Sequence, residues 1–190
     1  PPGSEDKNRG SLLLGSFAAL HPEPASSFAQ LGDRTGGNGM RTVEAGQITA
    51  AVAKLAVEAN YYLAVDIYGA LTKGQKTEES PLGREILGQL VENACIAREQ
   101  DIPICQDTGM AVVFMEIGQE VGIVGGDLEA AVNAGVAKGY KEGFLRKSVV
   151  DDPVFVRKNT GDNTPAILHV AIVPGDRIRI VLAPKGFGSE

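Results

Sequence analysis

Ile104-Cys105-Gln106-Asp107-Thr108-Gly109-Met110-Ala111-Val112-Val113-Phe114-Met115-Glu116-Ile117 is the stretch that sets the architecture, because helical sequence gives way to extended sequence there. From Met110 to Ile117 the residues are apolar, β-branched or aromatic and read as a strand. Ile102-Pro103-Ile104 reads as a shorter strand on the far side of a polar turn.

Working upstream, Ile48, Ala51, Val52, Leu55 and Ala56 recur at helical spacing, which predicts a helix over about 44–60. A shorter helix follows over about 64–73. Ser80-Pro81 marks a third start, since proline suits the first turn of a helix. Ile86, Leu87, Leu90, Val91 and Ala94 form its apolar stripe, and Cys95 reads as one more small apolar group on it.

Downstream, Gly125-Gly126-Asp127 caps a helix reaching about Leu145, with Gly135 and Gly139 permitting close packing. Ala166–Val173 and Asp176–Leu182 read as strands joined by a Pro174-Gly175 turn. The order predicts an α+β (mixed α/β) fold, with N-terminal helices followed by a strand-rich half.

The chain has 190 residues, 43% hydrophobic and 22% charged, which suits one folding unit with a real core. A net charge of -6 gives no electrostatic footprint for nucleic acid or an anionic membrane. Positive charge for any anionic substrate must therefore be local. Two cysteines cannot make a disulfide framework, so an intracellular, cytoplasmic setting is expected. No apolar run is long enough to span a bilayer. Residues 1–39 are rich in Pro, Gly, Ser and charge and read as a flexible leader, a tag or otherwise non-catalytic, with Met40 as the native start.

Four strings carry chemistry. In the first, Cys105, Gln106, Asp107 and Thr108 crowd a thiol, an amide, a carboxylate and a hydroxyl beside Gly109. Cys105 reads either as a ligand or nucleophile, or as a small buried thiol. In the second, Phe144-Leu145-Arg146-Lys147-Ser148, Arg146 is either a bidentate grip for a carboxylate or a solvated helix-end cation. The third, Arg157-Lys158-Asn159-Thr160-Gly161-Asp162-Asn163-Thr164-Pro165, is a tight polar loop of structural or functional use. The fourth, Pro184-Lys185-Gly186-Phe187-Gly188-Ser189-Glu190, can form an anion-cradling nest. His169 falls in a strand, where a histidine is more often structural.

ICQDTG at 104–109, FLRKSVVDDP at 144–153, RKNTGDNTPA at 157–166 and APKGFGSE at 183–190, in that order, resemble the α-region of class I, iron–sulfur fumarate hydratases and the related L-tartrate dehydratases. Arg41-Thr42-Val43 and Asn60-Tyr61-Tyr62-Leu63 also fit, so the likeness spans nearly everything from Met40. The resemblance implies a hydro-lyase that interconverts fumarate and malate with a [4Fe–4S] cluster, one iron of which is open to substrate.

It also implies a role for each matching residue. Cys105 would be one of three cluster ligands, and Gln106 would touch the dicarboxylate substrate. Asp107 would assist proton transfer, and Arg146 and the Gly188 amide would bind a carboxylate. The other two cysteines would lie beyond residue 190, and further groups would come from a β-subunit or β-domain. Residues 40–190 then read as a truncated N-terminal part of the α-region, inactive alone. Two other readings stand beside this one. One is a non-catalytic dicarboxylate- or phosphate-binding module built on Arg146 and the terminal Gly-rich loop. The other is an assembly domain that docks a partner through the Ile48–Ala56 face.

Overall fold

The computed structural model describes residues 28–31 and 40–187. In chain order the elements are β1 (Phe28–Leu31), β2 (Arg41–Glu44), α1 (Ala45–Tyr61), α2 (Val65–Thr77), α3 (Pro81–Gln100), β3 (Met110–Gly118), β4 (Val121–Val124), α4 (Leu128–Glu142), β5 (Val150–Asp151), β6 (Lys158–Asn159), β7 (Ile167–Val173) and β8 (Ile178–Lys185). The architecture is α+β, as the change of periodicity at Met110 predicts. The rest of the 1–39 segment, outside β1, and Gly188 to Glu190 lie outside the described residues.

The main sheet has the order β1-β8-β3-β7. β8 runs antiparallel to both β1 and β3, whereas β7 is parallel to β3. The last two long strands are therefore not a hairpin, although only four residues join them. Their loop crosses the end of β3 and bonds to it: Gly118 N donates to Arg177 O at 2.8 Å and Gln119 N to Val173 O at 2.8 Å. β2 and β4 form a separate parallel pair, and β5 and β6 a short antiparallel one.

Alternation along the strands decides which sheet face is covered. Val113, Met115 and Ile117 of β3 share a buried face with Ile178, Ile180 and Leu182 of β8. α1 packs on that face with Ile48, Val52, Leu55 and Ala56, and α4 adds Val132, Val136 and Tyr140. Burying each large aliphatic side chain stabilises the fold by about 1.5–3 kcal/mol. α1 and α4 approach closely because a Cβ on Gly135 would sit 2.7 Å from Val52 Cβ, and one on Gly139 2.7 Å from Ala53 O. The opposite sheet face is open, and there His169 stacks on Phe114 with centroids 5.0 Å apart.

Several expectations need correction. Ile102-Pro103-Ile104 is not a strand. Asp101 ends α3 in the left-handed region (φ 50°), Pro103 has no N–H to donate, and Ile104 N bonds instead to Asn60 O at 2.9 Å. α4 stops at Glu142 rather than Leu145, and Leu145 reaches the core from an irregular segment. The Ile48–Ala56 face is core, so it offers no docking surface.

The α3 stripe is another difference. Ala94 is buried, but Ile86 and Leu90 stay 48% and 47% exposed. α3 packs mainly on α2, which itself has no buried residue, so the pair has little else to cover it. Cys95 is half-buried, with its Sγ 3.6 Å from Tyr68 Oη.

Candidate functional site

The turn at 105–109 is shaped by its own polar groups. Asp107 N donates to Cys105 Sγ at 3.4 Å, and Gly109 N donates to Asp107 Oδ1 at 3.1 Å. Gly109 has φ +58°, and a side chain there would collide with the Lys185 carbonyl, so only glycine fits. Cys105 and Gln106 are left exposed, while Asp107 is half-buried.

This turn meets the other three strings. β3 begins directly after it, and the β3–β8 ladder pairs Met110 with Lys185, which carries the fourth string alongside the first. The contact is close enough that a Cβ on Gly186 would sit 2.8 Å from Asp107 Oδ2. Lys185 Nζ bonds to Gly186 O at 2.7 Å and lies 4.7 Å from the centroid of the Phe187 ring.

The second string is tied on by Thr108, whose Oγ1 donates to Arg146 O at 3.0 Å. That bond holds the Arg146 backbone beside the turn and leaves the guanidinium side exposed. The third string arrives through Asn163, which is fully buried. Its Oδ1 accepts from Ser148 N at 2.7 Å and Val149 N at 3.1 Å, and its Nδ2 donates to Gly109 O at 3.0 Å. One side-chain amide thus joins three of the four strings.

Tyr140 of α4 closes the frame from below. Its hydroxyl donates to Thr108 O at 2.8 Å and is 3.3 Å from Gly109 O. Burial, above all, pushes this phenol up to about 12, so it stays a neutral donor. Asp162 accepts from Thr164 N and Oγ1 at 3.0 and 2.7 Å, and those bonds hold its carboxyl below the usual range.

Local positive charge is present despite the acidic chain. Lys138, Lys141 and Lys147 line an open cavity of about 380 Å³ with Glu142 and Asp162, flanking the Arg146 segment.

Cys105, Gln106, Asp107 and Arg146 therefore sit on segments that the fold joins, whereas Gly188 lies outside the described residues. Tyr140 escaped the reading by chemistry, and Thr108, Asn163 and Gly186, which stood in the strings without a role of their own, hold the frame rather than offer reactive groups. The signal for Asn163 lay in its loop, where a buried amide is one way to tie such a turn down. The fit to an iron–sulfur cluster is partial. Cys105 is an exposed thiol that receives a backbone N–H, as a ligating thiolate would. Among the described residues no group of three or more His, Cys, Asp or Glu is placed to hold a metal, and Cys95 stands on α3 against Tyr68. Among the described residues Cys105 is the one exposed cysteine.

Comparison with known proteins follows the same residues. Residues 49–190 match the family model described as fumarate hydratase (Fumerase). The chain is 35% identical over 150 residues to a putative L(+)-tartrate dehydratase subunit alpha of Methanocaldococcus jannaschii, covering 76% of this chain and 52% of that one. It is 39% identical over 114 residues to the aerobic class I fumarate hydratase of Escherichia coli K12, covering 59% of this chain and 20% of that protein. Fumarate hydratase 2 of Leishmania major is similar to the same extent, at 38% over 113 residues, 59% of this chain and 20% of that protein. The chain thus spans about half of the archaeal subunit and a fifth of the two fumarate hydratases.

Proposed function

Because the chain belongs to the fumarate hydratase (Fumerase) family, we propose that it is the α-part of an iron–sulfur hydro-lyase that adds water reversibly across a dicarboxylate double bond, interconverting fumarate and malate. One observation carries the reading: the buried Asn163 amide, with Thr108, fastens the Cys105–Gly109 turn to the Arg146 segment. A frame of that kind holds an acid–base carboxylate and a carboxylate-binding cation in fixed relation.

In this proposal the planar guanidinium of Arg146 pairs with a substrate carboxylate, aided by the Gly188 amide. Gln106 contacts the substrate. Asp107 moves the proton at the carbon next to a carboxylate. Charge left on that carbon spreads into the carboxylate, so a cation there lowers the barrier alongside the base. Cys105 would hold the cofactor, a [4Fe–4S] cluster, which when bound supplies Lewis-acid polarisation of the substrate oxygens. The remaining cysteines and the β-subunit or β-domain would come from polypeptide outside residues 40–190, which leaves this chain inactive alone. A reducing cytoplasmic compartment suits such a cofactor. Among the described residues no helix is long and apolar enough to cross a membrane.

L(+)-tartrate dehydratase is the second reading. The archaeal relative favours it, since the similarity reaches over three quarters of this chain. Both reactions ask the same of Asp107 and Arg146.

The test is hydration of fumarate by the chain, extended C-terminally and mixed with the β-region, after anaerobic reconstitution with iron and sulfide. Activity abolished by Cys105→Ala supports the assignment, and L-tartrate in the same assay chooses the substrate. Folded material with neither cluster absorbance nor turnover on either acid overturns it.

A further inference from the structure

Tyr140 stands at the inner end of a chain of hydrogen bonds that finishes on the carboxylate proposed as the base. It is fully buried on α4, and its hydroxyl donates to Thr108 O at 2.8 Å. The N–H of that same peptide unit belongs to Gly109, and it donates to Asp107 Oδ1 at 3.1 Å. Phenol and carboxylate are joined through one planar group.

The surroundings fix the direction of the chain. Burial, first of all, raises the phenol to about 12, so the hydroxyl keeps the proton that it offers to Thr108 O. The side chains of Asn60 and Asn163 stand against the same hydroxyl, and the charge of Asp107 acts on it too. Gly109 O, at 3.3 Å, is the longer of the two hydroxyl contacts, and it belongs to the next peptide unit. The Asn163 amide bonds to that next unit as well. The phenol is the side-chain group that reaches the unit whose N–H meets Asp107.

A peptide unit transmits such a bond in two ways. Its atoms move as a plane, so a carbonyl held from the core also sets the direction of its N–H. A proton donated to the oxygen polarises the unit as well, which strengthens the bond that the N–H makes by about 10–30%. The Thr108 side chain adds a branch, since its Oγ1 donates to Arg146 O at 3.0 Å. The residue that Tyr140 holds therefore touches both the proposed base and the segment of the proposed cation.

We infer that Tyr140 is a positioning residue for the proposed proton transfer, holding the Asp107 carboxylate towards the substrate carbon through the Thr108–Gly109 peptide. The inference rests on the proposed function. Buried beneath the turn, the phenol acts only through that peptide and does not meet the substrate.

The experiment compares Tyr140→Phe and Val136→Ala with wild type in the reconstituted enzyme, with the chain extended and mixed with the β-region. The Gly109 amide is followed by NMR in the labelled full chain before reconstitution. Val136 is buried one turn earlier on α4, so its truncation loosens the same helix without removing a hydrogen bond of the relay. On whichever acid the wild type turns over, Tyr140→Phe should lower kcat about tenfold and change KM by less than about twofold. Its Gly109 amide proton should move upfield and exchange faster. Val136→Ala should melt earlier yet keep the wild-type kcat and the wild-type Gly109 resonance.

A kcat within about twofold of wild type in Tyr140→Phe overturns the inference and leaves the proposed function standing. An equal fall of kcat in both variants also overturns it, because Tyr140 would then be core packing alone. An unmoved Gly109 resonance does the same, since no relay would pass through that peptide. A wild-type enzyme that turns over neither fumarate nor L-tartrate removes the proposed function, and the positioning role with it.

Discussion

The fully buried side-chain amide of Asn163 donates to the carbonyl of Gly109 across a 3.0 Å hydrogen bond that spans 54 positions of sequence. Its oxygen accepts from Ser148 N and Val149 N, so Asn163→Ala leaves two backbone N–H groups without this partner and takes the shorter of two donors from the Gly109 carbonyl, which keeps the Tyr140 hydroxyl at 3.3 Å. A loss of about 3 kcal/mol is expected from such unsatisfied groups. Urea denaturation with an unchanged m-value measures it. A loss under about 0.5 kcal/mol would show that the amide is not the tie described here.

Tyr140 gives a prediction at alkaline pH. Its phenol is raised from 10.0 to about 12 in the folded chain, chiefly by burial. The folded state then holds a proton that the unfolded state has released between those values. The contribution is complete below about pH 10 and fades as pH rises towards 12. Tyr140→Phe should cost about 1 kcal/mol at neutral pH through the lost hydrogen bond and flatten the alkaline fall in stability. Denaturant midpoints from pH 8 to 11.5 would reveal both effects, and parallel curves for the two proteins would contradict the assignment.

Gly186→Ala tests the approach of the fourth string to the first. The new methyl carbon would sit 2.8 Å from Asp107 Oδ2, too close for either to stay in place. Displacing the proposed base by a fraction of an ångström to one ångström should lower kcat of the reconstituted enzyme by about 100-fold. Melting should move little, since the site is at the surface end of β8. Full activity in the variant would remove Asp107 from the proposed chemistry.

At Gly139 the obstacle is backbone. A Cβ would lie 2.7 Å from Ala53 O and 2.9 Å from Ala56 Cβ, so α1 and α4 must separate. Gly139→Leu should cost about 3 kcal/mol or more through overpacking. Glycine there also weakens α4 by about 1 kcal/mol relative to alanine, so a stabilised Gly139→Leu protein would mean that the helices are not in contact.

Acid should loosen the tip of the β5–β6 hairpin. The Asp152 carboxyl is held below its ordinary 3.8 by the amides of Phe155, Val156 and Val154. A depressed folded value contributes order above 3.8 that is lost as pH falls below it. The amide resonances of Val154, Phe155 and Val156 should shift together in that acidic window. Asp152→Asn should remove the transition, and its persistence in that variant would assign it to another group.

The periodicities at Ile48–Ala56 and Met110–Ile117 made α1 and β3 legible, because each encodes which face meets the core. Ser80-Pro81 and Gly125-Gly126-Asp127 marked helix starts through local chemistry, and both Ser80 and Asp127 accept a backbone N–H as caps. The four polar strings were visible as chemistry for the same reason. Local pattern did not reveal that α3 would leave Ile86 and Leu90 uncovered, since a stripe states a preference and not what is available to cover it.

By itself the sequence determined the long helices and the strands β3, β7 and β8, the main caps, the glycines at the α1–α4 contact and the polar strings that the fold brings together. All of these depend on neighbours within one or two turns of chain. Tertiary structure alone decided that β3 separates β7 from β8, that Ile102–Ile104 is tied to α1 rather than the sheet, and that Asn163 joins Gly109 to Ser148 and Val149. Those outcomes hang on hydrogen bonds between residues far apart in sequence. A backbone carbonyl accepts equally well from many donors, so only the packed fold selects which one reaches it.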